Sequence, residues 1–317
     1  MVGGVALVLG GGGLVGHAWH LGALAGLADA TGWEPDRAEL IVGTSAGAVV
    51  GAELRTGLQP FELLRPGVGA APVEAPRPVL GPRSLRCAAP GLAARAVLPP
   101  WRVRPGMLTA GLAPRGRRDT AIIGDAIDRL YGAPSRWPPA PLEVCTTRLD
   151  DGRRVVFGGD SGTALGTAVA ASCAMPGFFC PVTIDGRDHV DGGVWSSTNA
   201  DLAAGRGFDL VVVSSPMSID RSASPGRWRR RRLPAVARLH RLLHGARLQR
   251  ELVAVRRGGT LVTVLEPGAD DLAAMGSIAM SMDFDRRAAV VGRARATAAR
   301  HMGATTSGPV RSALGSR

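Results

Sequence analysis

One short stretch, residues 40–54, constrains the fold of this chain more than any other. Its first three residues are apolar and predict a buried strand, residues 43–47 (GTSAG) reverse the chain direction, and small apolar residues then continue as a helix. A G-x-S-x-G pattern between a strand and a helix is typical of the nucleophile elbow, and Gly43 and Gly47 suit its tight turn. We therefore predict that Ser45 lies at a helix N-terminus, where the helix dipole favours the negative charge that develops in acyl transfer.

A second glycine-rich turn, residues 10–13, follows a strand predicted at 5–9 and precedes a helix predicted from Leu14. Consecutive glycines let several backbone N–H groups converge on one anion, as an oxyanion hole requires. The same turn fits the G-x-G-x-x-G dinucleotide fingerprint up to Gly16, but that site needs an acidic residue at the end of the second strand. The second strand leads into Ser45 instead, so we favour the oxyanion hypothesis.

Strands and helices alternate along the chain, which predicts a three-layer α/β/α sandwich around a largely parallel central sheet. Further strands are predicted at 142–147, 154–157, 208–214 and 261–265, a hairpin at 181–189, and helices at 120–131, 163–173, 235–256, 270–276 and 285–301. The glycine-rich turn and Ser45 both follow strands and are expected at the same edge of the sheet, where such folds bind ligands. Asp191 also follows a strand and is a candidate to join them.

The charge and cysteine content limit the partners. All 38 basic residues are arginines and the net charge is +12, so the surface should attract anionic partners such as membrane phosphates. The basic amphipathic helix at 235–256 is either a membrane-contacting element or, more typically, an ordinary surface helix. The four cysteines show no metal-ligand or disulfide pattern. We expect no metal and no cofactor, and a cytoplasmic location with peripheral contact to an anionic membrane as a further hypothesis.

Residues 59–118 are rich in proline and arginine, which excludes long regular elements. This insertion is either a flap that offers Leu98, Trp101 and Met107 to an acyl chain or a poorly ordered segment. We expect a single catalytic domain over residues 1–304 and a flexible tail at 305–317.

Four segments together resemble the patatin-like phospholipase domain in order and spacing. They are residues 11–16 (GGGLVG), 43–47 (GTSAG), 174–179 (AMPGFF) and 191–193 (DGG), and the resemblance covers about residues 4–302. One departure is Val15, because the family commonly has Arg or Lys there. Since oxyanion donors are backbone groups, we expect the catalytic reaction to be unaffected by Val15. The way the loop is held in place and the substrate preference need not be those typical of the family.

The resemblance implies a Ser–Asp dyad in a serine lipid acyl hydrolase of the phospholipase A or lysophospholipase type. Ser45 would attack the ester carbonyl and Asp191 would accept its proton. The remaining residues that the resemblance implies are the oxyanion donors Gly11, Gly12 and Gly13 and the supporting glycines Gly16, Gly43, Gly47, Gly192 and Gly193. The substrate would be a lipid or fatty-acyl ester, and no nucleic acid is expected.

Other functions stay open at this point. The same dyad would serve an acyltransferase, a transacylase or a carboxylesterase. A Ser–His–Asp hydrolase is disfavoured because its elbow normally follows several strands, whereas the elbow here follows the second strand. No histidine has an obvious triad position, although His189 is close to Asp191 in sequence. A non-enzymatic basic protein could use residues 227–232 to bind a membrane or nucleic acid, but this patch has a single aromatic residue, Trp228, and no nucleic-acid motif. The oligomeric state is open.

Overall fold

A computed structural model describes residues 4–65, 92, 105–113, 116–220, 235–276, 283–304 and 308–315. Its strands are β1 (Val5–Leu9), β2 (Leu40–Thr44), β3 (Leu142–Arg148), β4 (Arg154–Phe157), β5 (Val182–Ile184), β6 (Arg187–Asp191), β7 (Leu210–Ser214) and β8 (Leu261–Leu265). Its helices are α1 (Gly13–Thr31), α2 (Ala46–Leu54), α3 (Pro105–Leu112), α4 (Ala121–Tyr131), α5 (Leu165–Ser172), α6 (Ala235–Arg256), α7 (Ala269–Met275), α8 (Arg287–Ala304) and α9 (Pro309–Gly315).

The described strands form one mixed sheet with the order β5-β6-β3-β2-β1-β7-β8, and β4 pairs with β3 off this path. The five strands from β3 to β8 in that order are parallel, while β4 and β6 are antiparallel to β3. Because β1, β2, β7 and β8 all end at the same edge, the turns that follow them meet there. The predicted largely parallel sheet is confirmed.

Both faces of the sheet are covered, which is why the central strands β1, β2 and β7 are buried at every position. On one face, Leu7 and Leu9 belong to a core cluster with residues of α1, α2, α5 and α8. On the other face, Ala6 and Val8 pack with Leu248 and further apolar residues of α6. The layers are therefore helix, sheet and helix, as the alternation of elements predicts.

Helices α1 and α8 pack at very short range. A Cβ atom at Gly22 would lie 2.4 Å from the carbonyl oxygen of Val291, and one at Gly26 would lie 2.2 Å from that of Arg295. Real Cβ atoms do not approach backbone oxygens so closely, so these two glycines set the distance between the helices.

Two segments outside the sheet bear on the sequence predictions. In the tail at 305–317, whose flexibility stays a prediction, residues 309–315 form α9 and Leu314 is buried in the main core. In the 59–118 insertion, Met107 lies on α3 and is buried against Val190 and Val194, so its side chain is not offered to an acyl chain. Leu98 and Trp101 lie outside the described residues, and the single-domain boundary stays a prediction.

Among the helices that the structure describes, none combines the length and the apolar composition needed to cross a bilayer. On α6, the predicted apolar face is only partly buried: Leu248, Leu252 and Val255 pack on the sheet, whereas Leu239 is 57% exposed and Leu242 is 36% exposed.

Candidate active site

Ser45 occupies a strained turn between β2 and α2. Its backbone angles are φ 54° and ψ −120°, in a region that costs a non-glycine residue about 1–3 kcal/mol. A Cβ atom at Gly43 would lie 2.5 Å from the Cα of Ala48, and one at Gly47 would lie 2.1 Å from the carbonyl oxygen of Leu9. Both glycines are therefore required by close approach, and the predicted strand, tight turn and helix are confirmed.

The surrounding structure holds this turn in place through hydrogen bonds. The backbone N–H of Ser45 donates to Oγ of Ser172 at 2.8 Å, and the Ser172 hydroxyl donates to the carbonyl of Cys145 at 2.6 Å. The carbonyl of Ser45 accepts the N–H groups of Ala48 and Val49 at 2.8 Å and 3.2 Å. Ser172 thus links α5, β3 and the elbow, a role that no local sequence pattern indicates.

Asp191 ends β6, and the fold brings its carboxylate to Ser45. The backbone N–H of Asp191 donates to the carbonyl of Ala174 at 3.0 Å, and the N–H of Gly193 donates to Oδ1 of Asp191 at 2.7 Å. The Ser45 hydroxyl is close enough to the Asp191 carboxylate to lower the pKa of that carboxyl. A Cβ atom at Gly192 would lie 2.2 Å from the carbonyl of Cys145, so only glycine lets the chain turn here.

Burial sets the charge state of this pair. Both side chains are buried, and desolvation raises the pKa of Asp191 to about 6, although the Ser45 hydroxyl and the hydrogen bond from the Gly193 N–H act in the opposite direction. The buried thiol of Cys173 is close enough to both side chains for each to affect its pKa. Burial and the charge of Asp191 raise the pKa of this thiol well above its ordinary value, so Cys173 stays protonated and is a poor nucleophile.

The glycine-rich turn lies directly against Ser45. A Cβ atom at Gly11 would lie 3.4 Å from the Cβ of Ser45. The N–H of Gly11 donates to the carbonyl of Ser197 at 2.7 Å, whereas the N–H groups of Gly12 and Gly13 have no acceptor among the described residues. The Gly11 N–H thus already has an acceptor within the fold, whereas those of Gly12 and Gly13 do not among the described residues, and the oxyanion role of Gly11, Gly12 and Gly13 stays a prediction.

A buried histidine braces this turn. His20 on α1 bonds the carbonyl of Gly10 through Nε2 at 2.6 Å and Oγ of Ser214 through Nδ1 at 2.8 Å. Since a carbonyl only accepts, Nε2 carries the proton and Nδ1 accepts from the Ser214 hydroxyl. Burial lowers the pKa of His20 to about 3, so the ring is neutral and both nitrogens are satisfied. The sequence places His20 on a helix but does not reveal this contact.

The acceptor for Gly11 is itself held by α6. The carboxylate of Glu251 accepts the hydroxyl of Thr198 at 2.8 Å and the N–H of Ala200 at 3.0 Å, and its other oxygen pairs with Arg247 at 2.8 Å. These contacts fix the segment that carries the carbonyl of Ser197. The position of the glycine-rich turn therefore depends on a buried carboxylate that is remote in sequence.

A comparison with models of known protein families identifies the family of the chain that carries this site. The model of the patatin-like phospholipase family matches residues 7–204, which include the glycine-rich turn, Ser45 and Asp191. The chain belongs to the patatin-like phospholipase family. The match supports a hydrolase that acts on lipid esters.

Two solved structures are also similar to the chain. The structure of VipD from Legionella pneumophila matches at 12% identity and a TM-score of 0.47, covering 95% of this chain and 66% of VipD. The type III effector protein ExoU matches at 18% identity and a TM-score of 0.44, covering 96% of this chain and 54% of ExoU. The chain thus spans about two thirds and about half of the lengths of these proteins.

Val15, the position singled out in the sequence analysis, is buried in the main core on α1. Nearby on the same helix, His17 bonds the carboxylate of Glu53 on α2 at 2.8 Å, and both side chains are buried. His17 and His20 therefore tie α1 to α2 and to β7.

No histidine is hydrogen-bonded to Ser45 or to Asp191, and all six histidines lie in described parts of the chain. His189, the nearest in sequence to Asp191, bonds Oγ1 of Thr146 at 2.9 Å and packs its ring on Phe157. The geometry is that of a serine–carboxylate pair without an imidazole.

Proposed function

We propose that this protein hydrolyses the fatty-acyl esters of lipids, as a phospholipase A or lysophospholipase, through a dyad of Ser45 and Asp191. The observation that carries the proposal is the proximity of the Ser45 hydroxyl, on its strained elbow, to the buried Asp191 carboxylate, whose pKa it lowers. A serine hydroxyl that faces a carboxylate across a strained elbow, next to free backbone N–H groups, has the parts that acyl transfer needs.

In the first half of the reaction, Oγ of Ser45 attacks the ester carbonyl carbon while Asp191 accepts the hydroxyl proton. The carbonyl oxygen becomes an oxyanion and receives hydrogen bonds from the N–H groups of Gly12 and Gly13, assisted by the dipole of α1. When the tetrahedral intermediate collapses, the bond to the alcohol breaks and Asp191 returns the proton to the leaving oxygen. An acyl ester on Ser45 remains.

In the second half, a water molecule takes the place of the departed alcohol. Asp191 accepts a proton from the water while its oxygen attacks the acyl carbon, and the oxyanion again lies at the N–H groups of Gly12 and Gly13. Collapse breaks the bond to Oγ, which recovers the proton from Asp191, and the fatty acid is released. Atoms and protons balance over the cycle.

The raised pKa of Asp191 supports its role as the base. An exposed carboxylate with a pKa near 4 is a weak base for a serine hydroxyl, and a base is most effective when its pKa lies near the working pH. With a pKa of about 6, Asp191 is still ionised at neutral pH but binds a proton more strongly than an exposed aspartate.

Product analysis tests the proposal. The purified protein is incubated with vesicles that contain phospholipid, lysophospholipid and diacylglycerol, and the products are identified by mass spectrometry. We expect free fatty acid and the deacylated lipid from the wild type and from the control Ser312→Ala, whose serine is exposed on α9, but not from Ser45→Ala. Equal product from Ser45→Ala would contradict the nucleophile, and an acylated alcohol instead of free acid would contradict hydrolysis.

A further inference from the structure

A cavity of about 240 Å³ lies beside the candidate active site, where β7 and β8 end against α6. The side chains that matter for its chemistry are Asp220, Arg241, Leu242, Ala246, Gln249 and Glu266. The carboxyl edge of a parallel sheet is where α/β folds bind ligands, and the proposed mechanism leaves this part of the edge unused.

Arg241 gives the cavity a buried positive charge. Its side chain is only 4% exposed, and Nη1 donates to the carbonyls of Pro216 at 2.5 Å and Ser218 at 3.4 Å. No carboxylate in the described parts of the chain forms an ion pair with it. Burial lowers the pKa of Arg241 to about 10, so it stays charged at neutral pH. A buried guanidinium whose partners are neutral favours an anion, and its forked geometry suits a phosphate.

Two carboxylates give the same cavity a second, opposite character. Asp220 and Glu266 both line it, and they are close enough for the charge of Asp220 to act on Glu266. Burial, together with that charge, raises the pKa of Glu266 to about 7. Neighbouring carboxylates destabilise each other's ionised forms, and a cation between them relieves that repulsion. The cavity therefore offers one side to an anion and another to a cation.

The cavity is adjacent to the oxyanion turn. A Cβ atom at Gly12 would lie 3.0 Å from Cγ of Pro216, whose carbonyl accepts the hydrogen bond from Arg241. Only β1 lies between β2, which ends at Thr44, and β7, so these two strands are about 10 Å apart in the sheet. Leu242 lines the cavity and is partly exposed, as expected at a boundary with lipid.

We propose that this cavity binds the zwitterionic phosphodiester headgroup of the substrate lipid, with the phosphate on Arg241 and the ammonium group at Asp220 and Glu266. Its volume is below the roughly 300–1,000 Å³ of pockets for drug-sized ligands, so it fits a headgroup and not a whole lipid. The assignment of the headgroup to a substrate rests on the proposed lipid hydrolase function. Binding in the cavity does not require catalysis and is tested separately.

Calorimetric titration of the Ser45→Ala protein tests the binding without turnover. Phosphocholine and inorganic phosphate are the two probes, and phosphocholine should bind more tightly because it fills both sides of the cavity. Arg241→Gln should weaken phosphocholine binding about 10- to 100-fold, the effect of losing hydrogen bonds from a charged group. Glu266→Gln should weaken phosphocholine but not inorganic phosphate. Arg238→Gln, an exposed arginine elsewhere on α6, should change neither.

Equal affinity for the two probes, or binding that survives Arg241→Gln, would overturn the headgroup assignment. Because Arg241 is buried, its variant is first checked for the native circular dichroism spectrum. Ala246→Trp is a second variant that fills the cavity from an exposed position on α6. It should abolish phosphocholine binding, and unchanged binding in a folded Ala246→Trp protein would contradict the site.

Kinetics then tests whether the cavity serves the substrate. In Ala246→Trp, kcat/KM for a zwitterionic phospholipid should fall about 10-fold relative to that for a diacylglycerol with the same acyl chains. An equal fall for both lipids would refute a headgroup role. If neither lipid is hydrolysed by the wild type, the proposed function fails, while the titration still decides whether the cavity binds the headgroup.

Discussion

The hydroxyl of Ser45 is close enough to the carboxylate of Asp191 to lower its pKa, although Ser45 follows β2 and Asp191 ends β6, two strands on opposite sides of β3. The antiparallel pairing of β6 with β3 brings the end of β6 to the carboxyl edge of the parallel strands, with Asp191 opposite Thr146. This arrangement places a buried carboxylate next to the elbow.

The first prediction concerns the base. Asp191→Asn keeps the shape of the side chain but removes the proton acceptor, so kcat should fall about 100- to 10,000-fold. The control Asp185→Asn changes an exposed hairpin tip whose positive φ asparagine tolerates, and its activity should be that of the wild type. A folded Asp191→Asn protein that keeps full activity would rule out Asp191 as the base, and a comparable loss in His189→Ala would favour a histidine mechanism.

The pH dependence of activity gives a second prediction. The active form of Asp191 is the carboxylate, and burial raises its pKa to about 6. The rate with a soluble short-chain ester should therefore be constant above this pH and fall tenfold per pH unit well below it. The measurement is kcat/KM between pH 4 and pH 8 under conditions where circular dichroism shows a folded protein. An inflection near pH 4 would mean that the base is an ordinary exposed carboxylate.

The third prediction concerns the brace of the glycine-rich turn. His20→Ala leaves the carbonyl of Gly10 and the hydroxyl of Ser214 buried without their partner, which should lower the free energy of unfolding by about 1–3 kcal/mol. The N–H groups of Gly12 and Gly13, which follow Gly10 in the turn, should then lose their alignment with the oxyanion. The fold decrease in kcat should therefore exceed the fold increase in KM. Urea denaturation and steady-state kinetics measure the two effects. Wild-type kcat in a destabilised His20→Ala protein would limit His20 to a purely structural role.

The packing of α1 on α8 gives a fourth prediction. Gly26→Ala would place a methyl group 2.2 Å from a backbone oxygen of α8, so it should destabilise the protein by about 1–3 kcal/mol. Gly292→Ala, on α8, meets no atom within 4 Å and should instead stabilise it by roughly 0.5–1 kcal/mol, because alanine is the better helix former. Urea denaturation of the Gly26→Ala and Gly292→Ala proteins measures these changes in the free energy of unfolding. A neutral Gly26→Ala would show that the helices separate easily.

Most of the fold could be predicted from the sequence because the central strands are short apolar runs bounded by glycine. Helix α9 could not be predicted, since its short segment depends on the tertiary contacts that Val310, Ala313 and Leu314 make with the core. The order of the strands was equally hidden, because nothing local shows that β6 pairs with β3 and not with β2.

The candidate site, like the fold, could be predicted from the sequence only in part. The elbow at Ser45 could be predicted because Gly43, Ser45 and Gly47 are neighbours in sequence and their spacing has a steric cause. The hydrogen bond that the Gly11 N–H donates could not be predicted, because its acceptor is the carbonyl of Ser197. Ser197 lies on a segment that Glu251 of α6 holds in place. Backbone hydrogen bonds between distant segments leave no mark in a local pattern.

The central claim is that Ser45 is the nucleophile activated by Asp191, and covalent labelling with a fluorophosphonate tests it most directly. Intact-mass measurement should show one adduct per chain, and peptide mapping should place it on Ser45. Labelling should be absent in Ser45→Ala and much slower in Asp191→Asn, while Ser312→Ala should label like the wild type. An adduct on another serine, or an unchanged labelling rate in a folded Asp191→Asn protein, would contradict the dyad.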